Sequence, residues 1–225
     1  MRRLLRIGLL LLCVVLAAAG ILLLVAYRAI QHAPDFYREA LLAESAEQKK
    51  AADRMLQQAT TLHNSVRHEG QWHAEFTADE INGWLATDLA RNQPQSLPDG
   101  FRDPRVKIDP DGITLACQVE RRGLHAVVSL NFDVYLDAPG VLAVRIRRAR
   151  AGAVPWPLGQ VLEAISQAAR RANLRIQWRQ SGNDPVALIS IPSADGSNAR
   201  IIRVDKIQLV EGAIQIAGAT ERGKP

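Results

Sequence analysis

Cysteine is scarce. The 225-residue chain has two, and aromatic side chains make up 5% of it. Cys13 sits inside an apolar run, and Cys117 is alone in everything that follows. A small fold stapled by disulfides is therefore excluded, and the core must be built mainly from aliphatic packing. Cys117 falls on the apolar phase of ITLACQV with Ile113, Leu115 and Val119, and reads as a core thiol.

Catalytic signatures are missing too. Neither G-x-G-x-x-G nor a P-loop occurs, and no serine stands in G-x-S-x-G. His63, His68 and His73 recur every five residues, a spacing that no helix gathers on one face, and HEGQWH lacks the H-E-x-x-H interval. His32 and His125 stand apart from them. The acidic residues of DPDG belong to a turn, with no calcium-loop spacing after them. No catalytic residue, metal ligand or cofactor is expected.

An excess of one charge is also lacking. Lys and Arg number 28 against 23 Asp and Glu, and without Arg2, Arg3 and Arg6 the margin falls to 25 against 23. That balance carries no nucleic-acid footprint.

What the chain has in plenty is an apolar start. Ile7 to Ala26 is twenty residues without a charge, about 30 Å as a helix, which matches a bilayer's hydrocarbon core. Three arginines precede it, which holds the N-terminus in the cytoplasm. Ala17 and Ala19 offer a signal-peptidase site, but cleavage there would leave an apolar stub from Ile21 to Ala26, so an uncleaved anchor is preferred over a cleaved signal and over a buried helix of a soluble fold. The expected organisation is a cytoplasmic end over 1–6, a transmembrane helix over 7–27, a helical stalk over 28–70 and an extracytoplasmic α+β domain over 71–225. This places the protein in a bacterial cell membrane as a single-pass chain.

Within the stalk, Phe36, Leu41, Met55, Leu56, Leu62 and Val66 recur at helical spacing. One helix from about Asp35 to Val66, roughly 48 Å long, is predicted. WHAEF then alternates as a strand, and Thr77 with Glu80 forms the capping-box pattern before a helix whose apolar face is Ile81, Trp84, Leu85 and Leu89. Asn82 lies off that face. From Arg105 the period becomes two: RVKI, ITLACQV, HAVVSLNFDVYL and VLAVRIRRARAG read as strands joined by DPDG, ERRG and DAPG turns. A second helix begins near Pro157 with Leu158, Val161, Leu162, Ile165 and Ala169 inward, and four short strands follow. Ile202 and Val204 are out of phase with Ile207 and Leu209, which calls for a bulge near Asp205–Lys206. The fold class expected is α+β, with helices covering one face of a curved antiparallel sheet.

FTADEINGWL, GAVPWPLGQVLE and the closing IRVDKIQLVEGAIQIAG together resemble the uncharacterised bacterial membrane-anchored proteins of the YpmS-like type. The matching residues are Phe76, Thr77, Ile81, Asn82 and Leu85, then Gly152, Pro155 and Pro157. The resemblance implies an extracytoplasmic curved-sheet domain related in style to lipid-handling tubular domains, and it brings no catalytic residue with it.

Two features stand out as candidate binding residues. Trp156, held between two prolines, suits an opening or a membrane interface. Arg145, Arg147 and Arg150 suit the anionic head of an amphiphilic ligand, opposite the inward Leu142, Val144 and Ile146; a solvated strand face is the plainer account of the same residues. The expected function is a membrane-anchored extracytoplasmic module that binds lipid or an envelope polymer. The alternative is a non-catalytic structural scaffold of a cell-envelope protein complex. Partners are accordingly the membrane, a lipid or an envelope protein, and no nucleic acid.

Overall fold

The structure, a computed structural model, describes residues 32–89, 92, 97, 100–121, 124–171, 174–191 and 200–222. Four α-helices and ten strands occur among them. In chain order they are α1 (Asp35–Leu42), α2 (Ser45–Ser65), β1 (Gly70–Thr77), α3 (Ala78–Trp84), β2 (Phe101–Asp109), β3 (Gly112–Arg121), β4 (Leu124–Ala138), β5 (Val141–Ala151), β6 (Val154–Pro155), α4 (Leu158–Arg171), β7 (Ile176–Ser181), β8 (Asp184–Ser190), β9 (Arg200–Val210) and β10 (Ala213–Arg222). One wide turn of π-helix, Leu85–Leu89, continues α3.

The α+β class and the antiparallel pairing agree with the sequence reading, but the single curved sheet does not. The strands form two open sheets: β1-β10-β9, and a larger one ordered β2-β3-β4-β5-β8-β7, with β6 paired to part of β5. The division follows from β1. Trp72 and Phe76, on one side of that strand, are buried, and Gly218 on β10 leaves room for the Trp72 ring, so β10 has β1 as its second neighbour. The bulge required by the phase change on β9 is present. Lys206 faces Ala217 while Val204 faces Gly218, which leaves Asp205 as the extra residue.

The expected transmembrane helix over 7–27 lies outside the described residues. Among the described residues no helix is long and apolar enough to cross a membrane. The stalk is also different from the expectation. The chain is extended at Ala43 and Glu44, with ψ of 137° and 138°, so two helices stand where one was predicted. Each packs one side against the rest of the fold: Tyr37 of α1 and Ala51 and Ala52 of α2 are buried. The single-pass anchor, the membrane as partner and the extracytoplasmic location thus find no support among the described residues. An α+β domain is what the described residues support.

Helices lie on both faces of the large sheet rather than one. On one face, Tyr37 packs on Ala116 and Val127, flanked by Ala33, Phe36 and Leu41. The Tyr37 hydroxyl donates to the Asp103 carbonyl at 2.8 Å, and buried Arg105 donates to the carbonyls of Pro104 at 2.8 Å and Ala40 at 3.4 Å. α4 lies over the other face.

The NGW segment of α3 is a packing device at two levels. Gly83 lets α3 approach α2 closely: a Cβ there would stand 2.5 Å from the Gln48 carbonyl oxygen and 2.7 Å from the Ala52 nitrogen. Asn82, one residue earlier, docks on β2. Both capping-box bonds are made, Thr77 Oγ1 accepting from Glu80 N at 3.2 Å and Glu80 accepting from Thr77 N at 3.1 Å. Glu80, nearly buried, also accepts from Gln58 of α2 and faces Arg54, so the cap ties the two helices together. Trp84 is only half-buried, and the better-buried residues of this segment are Leu85 and Leu89.

Candidate functional site

The register of the large sheet sorts its side chains. Cys117 opposes Val128 and Leu115 opposes Leu130, so these four share the face beneath α4. α4 is strongly two-sided, with Val161, Leu162, Ile165 and Ala169 along one stripe. It stands off the sheet, pinned near its ends. At the start, Trp156 N donates to the Ala149 carbonyl at 2.9 Å, and Trp156 Nε1 donates to Gln160 Oε1 at 3.0 Å. Toward the end, Trp178 Nε1 donates to Ser166 Oγ at 2.9 Å.

Between helix and sheet lies an apolar groove of about 210 Å³. Leu115, Cys117, Val128 and Leu130 form its floor, Phe101 and Pro104 its β2 side, and Trp156, Val161, Ala164, Ile165 and Ala168 its roof. Burial pushes the Cys117 thiol up to about 12, so it is protonated at neutral pH and lines the groove as a small hydrophobe. The Gln160 oxygen is occupied by Trp156. Such walls desolvate an apolar group and offer it no acid or base.

The opposite face of β3, β4 and β5 is polar beyond the part that α1 covers at Ala116 and Val127. Thr114, Ser129 and Asn131 floor an open groove of about 790 Å³, with Arg147, Arg148 and Arg150 on one side and Asp109, Asp111 and Glu211 on the other. Arg147 is held by Asp133 at 2.6 Å, and this pairing holds its guanidinium pKa above the ordinary value. Lys107 is likewise raised by its hydrogen bond with Asp109 at 2.8 Å.

The residues expected to bind together are therefore separated. Trp156 belongs to the apolar groove, while Arg147 and Arg150 belong to the polar one on the other face. Arg145 lies further along β5 over the Tyr135 ring, 5.4 Å from its centre, with Nη2 3.4 Å from the Tyr135 hydroxyl. Its Nε is buried without a partner. A bulge causes the regrouping: Ile146 faces Phe132 but Arg148 faces Asn131, so Arg147 is an extra residue and Arg148 joins Arg150 on the polar face. The run R-x-R-R-x-R carries this change of phase in plain sight. Of the α4 residues that line the apolar groove, Val161 and Ile165 belong to the stripe read from the sequence, while Ala164 and Ala168 lie outside it. Among the described residues no group of three or more His, Cys, Asp or Glu side chains could hold a metal ion.

No family model, no curated protein and no solved structure matches this chain. The resemblance read from the motifs around Thr77 and Pro155 rests on those residues alone.

Proposed function

We propose that the protein is a non-catalytic scaffold that holds a partner protein by an apolar side chain seated in the groove beneath α4. The observation that carries this reading is the groove's lining, in which the one titratable group, Cys117, stays protonated. An engineered apolar cavity of about 150 Å³ takes benzene and stays dry without it, so a groove of about 210 Å³ suits a ring or a branched aliphatic side chain. Burying one such side chain is worth about 1.5–3 kcal/mol, the strength of an anchor within a larger contact. A polypeptide fits better than a small free molecule because apolar surface continues past both ends of α4. Val154 before the helix and Leu174 after it are exposed, and Trp178 beside Leu174 is partly so.

The test is site-specific photo-crosslinking of the full-length chain in the cells that make it. A benzophenone side chain at Ala164 should give a reproducible protein adduct that is lost with Leu130→Gln in the groove floor. Cys117→Ala should leave the adduct in place. The reading falls if Ala164 gives no adduct, or the same adducts as a label at Gln57 on α2.

A further inference from the structure

The polar face carries a charge arrangement of its own, independent of the groove beneath α4. Arg148 and Arg150 are two apart on β5 and share one face, which sets their Cα atoms about 7 Å apart. Among the described residues neither has an ion pair, whereas their neighbour Arg147 is taken by Asp133. Across the groove, Asp109 is taken by Lys107, and Asp111 and Glu211 have no ion pair among the described residues. The groove thus holds two cations without an ion pair along one wall and, on the other, two anions that make none, although the charge of Asp111 acts on Arg147 and that of Glu211 on Lys107. The floor between them, Thr114, Ser129 and Asn131, is polar and uncharged.

A polyanion attracted by the arginines would meet Asp111 and Glu211 on the facing rim, and a polycation would meet the reverse. The surface complementary to both walls is one with the same two patches in opposite order. A second copy of this chain, turned by a twofold axis, supplies that order, since in such a contact residue i meets j while j meets i. We propose that this groove is the interface of a twofold-symmetric homodimer, in which Arg148 and Arg150 of each copy meet Asp111 and Glu211 of the other. Arginine suits the role because its fork donates two parallel hydrogen bonds to a carboxylate. The pairs lie on open sheet surface, so added salt weakens the contact. The dimer would leave the groove beneath α4 free, because that groove opens on the other face.

Charge exchange tests this directly. The Arg148→Glu, Arg150→Glu chain makes both walls acidic, and the Asp111→Lys, Glu211→Lys chain makes both basic. The full-length wild type, each variant alone and an equimolar mixture are compared by sedimentation velocity at low and high ionic strength, with melting curves to show that each chain is folded. The wild type should sediment as a dimer at low salt and shift toward monomer at high salt. Each variant alone should be monomeric, and the mixture should regain the dimer because its walls are again opposite in sign. Arg148→Lys with Arg150→Lys should keep the dimer in weakened form. A monomeric wild type at both salt concentrations overturns the proposal. So does a dimer that survives both exchanges, or a mixture of folded variants that stays monomeric.

Discussion

Asn82 and Val106 exchange two hydrogen bonds: the Asn82 amide nitrogen donates to the Val106 carbonyl at 2.9 Å, and the Val106 N–H donates to Asn82 Oδ1 at 2.7 Å. β2 is the outer strand of the large sheet, with β3 as its partner there. The side-chain amide therefore does at one residue what a neighbouring strand would do, satisfying a backbone donor and acceptor together and covering the edge with α3. Asn82→Leu should cost about 1–3 kcal/mol in denaturant unfolding, the penalty for stranding part-buried backbone groups. Asn82→Asp keeps the acceptor and loses the donor, so it should cost less. Equal stability of the leucine variant would show that water serves this edge as well as Asn82 does.

Two helix glycines should answer alanine in opposite directions. Alanine is the better helix former by up to about 1 kcal/mol. At Gly159, in the first turn of α4, a Cβ meets nothing within 4 Å, so Gly159→Ala should stabilise by a few tenths to about 1 kcal/mol. At Gly83 the Cβ runs into the α2 backbone and Ala51, and separating two packed helices outweighs the gain in propensity. Gly83→Ala should destabilise by about 1–3 kcal/mol. Thermal unfolding of the pair gives the signs, and a stabilised Gly83→Ala would contradict the close helix approach.

Alkaline pH should loosen the packing of α1. Burial first, then the charge of Asp103, pushes the Tyr37 hydroxyl up from 10.0 to about 12. The folded state therefore prefers the neutral phenol. Its contribution is fully present below pH 10 and disappears as pH rises through 12. At 1.36 kcal/mol per unit this is on the order of 3 kcal/mol. Tyr37→Phe should lower stability at neutral pH through the lost bond to Asp103, and should flatten the alkaline part of the curve. Stability that falls with pH as steeply in the phenylalanine chain as in the wild type would remove Tyr37 from the account.

Cys117 should be a poor nucleophile in the native protein. Its thiol moves from 9.0 to about 12 through burial, in the same direction as Tyr37, so the thiolate fraction near neutral pH falls about a thousandfold. Iodoacetamide labelling of Cys117, read by peptide mass spectrometry so that Cys13 is counted separately, should be slow in the folded chain and fast in urea. Rapid native labelling would mean that the groove holds water against the sulfur.

The sequence was most legible where one segment decides its own structure. The capping box at Thr77 and Glu80, the alternation of Trp72 and Phe76, and the bulge at Asp205 are all local patterns. It was least legible where two distant segments meet. Val128 and Leu130 stand in the apolar phase of HAVVSLNFDVYL, yet both are only half-buried because α4 stands off them. Val127, of the other phase, is better buried, because α1 brings Tyr37 to that side. The division into two sheets depends on β1 finding β10, which no local pattern announces. Trp156 was placed at an opening from its two prolines alone. The arginines were grouped by simple alternation, which the bulge at Arg147 breaks.

The pairing of β1 with β10 joins Gly70 to Thr220, 150 positions further along the chain. Its fastening is also long-range: Trp72 Nε1 donates to Thr220 Oγ1 at 3.2 Å, and that hydroxyl donates to the Val66 carbonyl at 2.9 Å. During synthesis β1 leaves the ribosome long before its partner exists, and at 5–20 residues per second the wait is on the order of ten seconds. Through that interval Trp72 and Phe76 lack their cover, and β1 is an unpaired edge that a chaperone or another nascent chain can occupy. Contacts this distant in sequence also form slowly in a complete chain. A ribosome stalled before Ala213 should therefore carry a chain whose Gly70–Thr77 segment is open to protease, and release past Arg222 should close it.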